Sequence, residues 1–397
     1  MDSDLASLDK LHIDEPYLTR TLVDLVQINS ANPSLTPGSP GEAAIGDYVA
    51  GAMRALGLHV TVHTLGPNRV NVVGIRPGAA AGGRSLMWNA HMDTVSAEGM
   101  AAPFSADVRA GRLYGRGSQD MKGSLAAMLA AVKALNEAQV TLAGDLLLTA
   151  VADEEYASIG TADIVKRYRA DAAIVTEPTD LALCLAHRGF IWFTVETTGR
   201  AAHGSRYDEG IDAIMHMGRF LAELDRLEQE LRARPPHPLA GPPSLHASII
   251  QGGSELSVYP ASCTLQVERR TAPGESVDQA TQELQAIIDR LRAADPAVQA
   301  TVQPFLSRAP FAVAEDAPIV QVLDHALARR LGQAPAHTGA AFWTDAALLA
   351  EAGIESVLLG PVGRGLHSAE EWVDLRSVVD LAAVLAAAAI DYCGSNK

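Results

Sequence analysis

A scattered set of histidines and carboxylates has the types and spacing to hold metal ions and hydrolyse a bond. His91 and Asp93 stand two apart in NAHMDTV, so in extended chain both project to one side. Asp120 sits in GRGSQDMKG, just ahead of a long helical pattern. Asp153, Glu154 and Glu155 close a strand-like run in AVADEEYASIGT, Glu177 closes another in IVTEPT, and His367 lies in the Gly-rich GRGLHSAEEWV. Two histidines with several carboxylates suit a borderline-soft divalent cation, Zn²⁺ first. One ion would leave ligands over. Two ions about 3.5 to 4 Å apart, sharing one carboxylate, would use them all. Singly, each acid reads as a solvated turn residue and His91 as a buried imidazole; the joint occurrence carries the inference.

Such a set needs a scaffold that brings strand ends together. Helical spacing marks residues 16 to 28 and 41 to 57, the second ending on Gly57. β-rich runs follow at 59 to 65, 71 to 75 and 85 to 95. Then come a helix at 121 to 138, a strand at 144 to 153, a helix at 161 to 168 and a strand at 171 to 177. This alternation predicts an α/β layer built on a mixed, mostly parallel sheet flanked by helices. After Arg188-Gly189 the pattern changes. FIWFTVETTG alternates like a half-exposed strand, and a charged helix from about Asp208 to Arg234 follows. The proline-rich PPHPLAGPP, two strands (244 to 251, 261 to 270), a helix (276 to 294) and a strand (297 to 306) complete a β-α-β-β-α-β unit of the split type. The α/β pattern resumes from about 309. One α/β domain, residues 1–187 and 307–397, therefore carries an inserted α+β domain at 188–306.

The chain has 397 residues, 31 Lys plus Arg against 47 Asp plus Glu, and a formal net charge of −16. That balance excludes nucleic-acid binding through a basic surface. Cys184, Cys263 and Cys393 are too few and too scattered for a disulfide framework, which points to the cytoplasm. The start, MDSDLASLDKLHIDEP, is acidic without the apolar run of a signal peptide. The longest apolar stretch, Leu381 to Ile390, falls short of the ~18 residues of a membrane span and reads as a buried terminal helix.

The ordered motifs H-x-D, G-R-G-x-x-D-x-K-G, D-E-E, T-E-P-T, A-A-H-G-S and T-D-A-x-L-L…G-I-E…L-G-P…L-H-S-x-E-E span nearly the whole chain. With them the chain resembles the M20 metallopeptidases and amidohydrolases, among them acetylornithine deacetylase, succinyl-diaminopimelate desuccinylase, aminoacylase and the carboxypeptidase G2 type. The resemblance implies a zinc-peptidase-like catalytic domain and an inserted lid and dimerisation domain. It implies two Zn²⁺, with Co²⁺ as a substitute: His91 on one ion, His367 on the other, Asp120 bridging, Glu155 and Glu177 completing the two shells. Asp93 would hold the His91 ring and fix its tautomer. Glu154, beside a ligand yet not one, would be the general base. His203, in GRAAHGS, would stabilise the oxyanion, from the other subunit of a homodimer. Arg270, in VERRTAPGE, would grip a substrate carboxylate, with Arg269 facing the other way.

One departure concerns Ser257 of GGSELSVYP, where relatives usually carry Asn, a better carboxylate partner. The resemblance also implies a cis peptide at Asp120-Met121. The expected reaction is hydrolysis of a small amide, foremost deacylation of an N-acyl amino acid, a lean that Glu177 supports because the peptidases often carry Asp there. A carboxypeptidase or dipeptidase, and a non-catalytic ligand-binding relative, are the alternatives. Hinges at about 187 to 189 and 305 to 309 are expected to let the inserted domain close on the substrate. His59, His63, His187, His216 and His337 lie outside the motifs and read as structural.

Overall fold

The computed structural model describes residues 11–80 and 82–395; the acidic start, residues 1–10, lies outside the described residues. Asp14 caps the first described helix, α1 (Glu15–Gln27), accepting from the Tyr17 N–H at 2.9 Å. Then follow α2 (Ala43–Ala55), the strands β1 (His59–Gly66), β2 (Arg69–Arg76), β3 (Leu86–His91), β4 (Asp107–Arg109) and β5 (Arg112–Tyr114), and a kinked turn at Ser118–Lys122. Next are α3 (Gly123–Glu137), β6 (Leu146–Val151), α4 (Ile159–Arg167), β7 (Ala172–Val175) and β8 (Leu183–His187).

From Ala186 to Ala312 the chain forms a second compact unit, which also takes in Gly339–Trp343. Its elements are β9 (Gly189–Thr198), α5 (Ala213–Ala233), β10 (Ser244–Gly252), β11 (Ser262–Thr271), α6 (Val277–Ala294), β12 (Gln299–Arg308) and β13 (Phe311–Ala312). Beyond it run α7 (Pro318–Leu331), β14 (His337–Ala340), α8 (Ala346–Glu351), β15 (Glu355–Leu358), β16 (Gly363–Arg364), β17 (Trp372–Asp374) and α9 (Leu375–Cys393).

The first unit's main sheet runs β1-β2-β6-β3-β7-β15-β8. Its four middle strands, β6, β3, β7 and β15, are parallel, and the flanks pair antiparallel. LMWNAH, LLLTAV and AAIV are buried throughout, the continuous apolar runs of strands covered on both faces. Helix α3 is buried along most of its length and packs on α9 and α1. Helix α9 contains the apolar run Leu381–Ile390, and among the described residues no helix is long and apolar enough to cross a membrane. Strand β3 ends at His91, so the expected strand at 85 to 95 is cut short. From there Thr94 leaves the sheet to bridge Ala31.

In the second unit β10-β11-β9-β12 form an antiparallel sheet, the β-α-β-β-α-β arrangement expected. Ile191, Phe193 and Val195 of β9 alternate inward onto Phe220, Leu224 and Leu284 of its helices. Helix α5 starts at Ala213 rather than near Asp208. Ile211 is held in extended pairing with Arg200, and Asp212 caps the helix by accepting from the Met215 N–H at 2.9 Å. Trp343 joins this unit through ring contacts with His187 and Phe190.

Candidate metal centre

The parallel strands deliver the polar residues to one edge, because loops leaving their carboxyl ends diverge and leave a crevice there. His91 is the last residue of β3, Asp153 to Glu155 follow β6, and Glu177 follows β7 by two residues. His91 is buried, with Nε2 3.0 Å from Asp120 Oδ1 and 3.9 Å from Glu177 Oε1. His367 stands in a loop with φ +57°, its half-exposed ring presenting Nε2 at 3.3 Å from Asp120 Oδ2 and 3.1 Å from Glu155 Oε2. The peptide between Asp120 and Met121 is cis, as the resemblance implied. Two groups place candidate ligand atoms within 4.8 Å of one another: His91 with Glu154 and Glu177, and His91 with Asp120 and Glu155. All six expected residues of this centre, His91, Asp120, Glu154, Glu155, Glu177 and His367, thus converge in the first unit.

Asp93 meets the His91 ring through its main chain as well as its carboxylate. The His91 Nδ1–H donates to the Asp93 backbone carbonyl at 2.9 Å, while the nearest carboxylate oxygen is 3.7 Å away. Either acceptor keeps a proton on Nδ1 and directs Nε2 at Asp120. The carboxylate also clasps the following turn, accepting from the N–H groups of Glu154 and Glu155 at 3.2 and 3.3 Å. Asp153, at φ +70°, tightens the same turn through its carbonyl, which accepts from Tyr156, Ala157 and Ser158.

Residues absent from the sequence-level roles hold this arrangement. The Asn32 amide donates to Asp93 Oδ2 at 2.8 Å and to Asp153 Oδ1 at 3.0 Å. Arg69 donates to Asp153 Oδ1 at 2.6 Å and forks onto Glu42 at 2.7 and 3.0 Å. Glu371 and Arg116 lie behind Asp120 and the His367 loop. A polar residue in a turn, such as Asn32 of NPS, carries no local sign of a partner 61 residues away.

Crowding these acids in a buried crevice disturbs their protonation. Burial, then the Glu177 charge, pushes Glu154 well above the usual carboxylate range. Burial pushes Glu177 up to about 8 despite the opposing His91 charge, and burial raises Glu155 as well. Burial also favours the neutral form of Asp120, but hydrogen bonds from His367 and His91 overcome it and hold the carboxyl below its usual range. The bond to Asp120, then that to Glu155, lifts His367 to about 10. Burial opposes charging of His91, yet Asp120, Glu177 and Asp93 carry it well above its ordinary value.

In the second unit His203 is exposed, its Nδ1 2.9 Å from Ser205 Oγ. The neighbouring Gly204 N–H donates to the Ser257 carbonyl at 2.7 Å, and His203 bridges Val258, so Ser257 backs the histidine turn with its main chain. Arg270 pairs with Glu268 through Nε at 2.6 Å and lies over the Phe190 ring at 5.4 Å. Arg269 faces the opposite side, buried and paired with Glu275 and Glu283, as the strand alternation requires.

Known proteins share this chain's sequence pattern and fold. The model of peptidase family M20/M25/M40 matches residues 87–391. The acetylornithine deacetylase of Myxococcus xanthus is 31% identical over 391 residues, covering 96% of this chain and 99% of the relative. Aminopeptidase PepT of Bacillus cereus shares the fold with a TM-score of 0.78 at 18% identity, covering 96% of this chain and 99% of that one. The YXEP protein of Bacillus subtilis, a dinuclear metal-binding peptidase of the M20 family, does so with a TM-score of 0.72 at 16% identity, covering 95% and 97%. The chain belongs to peptidase family M20/M25/M40 and is a hydrolase of amide bonds.

Proposed function

We propose that the chain is a dinuclear zinc amidohydrolase that removes the acyl group from an N-acyl amino acid or a related small amide. One observation carries this reading: the two oxygens of Asp120 face two different histidines, Oδ1 at 3.0 Å from His91 Nε2 and Oδ2 at 3.3 Å from His367 Nε2. The donor set fits a pair of divalent ions. Glu155 Oε1 is buried without a hydrogen-bond partner, an atom whose desolvation a cation would repay. His91 and Glu177 would hold one ion, His367 and Glu155 the other, and Asp120 both. Bound there, such ions would polarise an amide carbonyl and lower the pKa of a water toward ~7.

The chain's own residues supply the rest. Glu154 takes the proton from the attacking water at its carboxylate and passes it to the leaving nitrogen, a transfer that its raised proton affinity suits. Asp93 aligns the His91 ring and the Glu154–Glu155 turn. His203 donates to the developing oxyanion, and Arg270 grips the substrate carboxylate. In this reading residues 1–187 and 307–397 form the metal-binding domain and 188–306 the lid, through which two copies of the chain pair. Support for pairing comes from β10, an edge strand whose Ile249 and Ile250 are half exposed. The described cysteines are all free and buried, which suits a cytoplasmic enzyme.

The test is hydrolysis of N-acetyl, N-succinyl, N-carbamoyl and dipeptide substrates with Zn²⁺ or Co²⁺ supplied. Cleavage of an N-acyl amino acid is expected. Cleavage confined to dipeptides would move the reading to a peptidase, and metal-loaded protein inert on every amide would overturn it.

A further inference from the structure

Four donors converge on the carboxylate of Glu371. Oε2 accepts from Arg116 Nη1 at 2.7 Å and from the Gly117 N–H at 3.0 Å. Oε1 accepts from the N–H groups of Gln119 at 2.9 Å and Asp120 at 3.1 Å. The side chain thus threads the turn that presents Asp120. Arg116 then reaches the other way, donating through Nη2 to the carbonyl of Ser368 at 2.9 Å, one residue beyond His367, and through Nε to that of Ser96 at 3.0 Å. The main chain adds a further tie, the Gly115 N–H donating to the Glu371 carbonyl at 3.0 Å. Arg116 and Glu371 are 2% and 1% exposed.

A buried ion pair is a poor device for stability alone, because desolvation consumes most of its attraction. Its value is directional. Two carboxylate oxygens accept at fixed places from four donors that belong to the Asp120 turn and, through Arg116, to the His367 loop. An amide in place of the carboxylate would set its own N–H₂ against two of those donors. The two segments so joined carry side chains that meet at 3.3 Å, His367 Nε2 to Asp120 Oδ2.

We infer that Glu371 and Arg116 are positioning residues that fix Asp120 against His367 and thereby set the affinity of the His367 side of the centre for a divalent ion. The inference rests on the reading of Asp120 and His367 as metal ligands. It assigns no ligand role to the pair and leaves the His91–Glu177 side to other supports.

The test is titration of chelator-treated, full-length protein with Co²⁺, followed by calorimetry and by the visible absorption of the bound ion. Wild type, Glu371→Gln and Arg116→Lys are compared, with the melting temperature of each metal-free protein alongside. In Glu371→Gln one of the two ions is expected to bind ~10- to 100-fold more weakly, with a changed absorption band for that ion, while the other, which shares Asp120, is weakened by less. Arg116→Lys keeps the charge yet loses the fork to Ser368, so it should weaken the same ion by less; it decides the matter if the first variant does not fold. Lowered melting temperatures with both affinities unchanged, or both weakened alike, would reduce the pair to a structural staple and overturn the inference. Wild type that binds fewer than two ions would strike the ligand assignment itself, and the inference with it.

Discussion

Replacing Asn32 by Asp tests the buried polar network with a single-atom change. Asn32 Oδ1 accepts from the Ser34 N–H at 2.8 Å, a bond that Asn32→Asp keeps. The amide nitrogen, which bridges Asp93 and Asp153 at 2.8 and 3.0 Å, becomes an oxygen that would face two carboxylates. Three buried acids cannot all ionise at that range, so the folded variant takes up a proton. The new hydroxyl then donates to Asp93, whose other partners, the Glu154 and Glu155 N–H groups, are longer at 3.2 and 3.3 Å. Asp153 keeps Arg69 at 2.6 Å.

The cost is therefore that of holding a proton which the unfolded chain releases above pH ~3.9. At 1.36 kcal/mol per pH unit this is about 4 kcal/mol at pH 7 and about 1.5 kcal/mol at pH 5. A carboxyl whose folded pKa is raised favours folding fully only below its unfolded pKa, so the deficit of the variant grows as pH rises and shrinks as pH falls. Thermal unfolding of chelator-treated wild type and variant at both pH values should show a gap in Tm that widens by roughly 3 to 5 °C between pH 5 and pH 7. A gap independent of pH, or none at pH 7, would refute a bridging role for the Asn32 amide.

Further outcomes follow from the same geometry. Glu154→Gln removes the base yet keeps the main-chain bond to Asp93, so kcat should fall ~10²- to 10⁴-fold with ion affinity by calorimetry retained. His203→Ala should lower kcat on N-acyl substrates while leaving metal content unchanged; near-normal turnover would remove the histidine from the oxyanion role. Metal uptake should expel protons, since Glu177 is pushed to about 8 and His367 to about 10 in the metal-free chain. Affinity is expected to rise with pH between 6 and 8, by up to about tenfold per unit for each proton released, measured by calorimetry in buffers of different ionisation enthalpy. Gly365, at φ +91°, leaves no room for a methyl group, whose carbon would stand 1.8 Å from the Glu370 carbonyl oxygen. Gly365→Ala should therefore displace the His367 loop and weaken one ion in a Co²⁺ titration.

The elements that carry the ligands were legible because their signals are local. LLLTAV and AAIV are apolar without interruption, as buried parallel strands must be, and the acids at their ends stand out against them. The inserted unit could be read from the alternation of FIWFTVETTG and VERR, which also assigned Arg269 and Arg270 to opposite faces. What escaped depends on distant partners. The capped start of α5 at Ala213 follows from pairing of Ile211 with Arg200, and the clasp on Glu371 joins residues 255 positions apart. Asp93 illustrates the limit within a motif: H-x-D located the residue, while the chain leaving β3 after His91 brings its carbonyl to 2.9 Å from the ring, nearer than its carboxylate at 3.7 Å.

The most direct test of a dinuclear hydrolytic centre is recovery of activity as chelated protein is titrated with Zn²⁺, with hydrolysis of an N-acyl amino acid and bound metal measured on the same samples. Activity absent from the stripped chain and restored to a plateau as bound zinc reaches two ions per chain is expected. Full hydrolysis by the metal-free protein, or two bound ions with no amide cleaved, would contradict it.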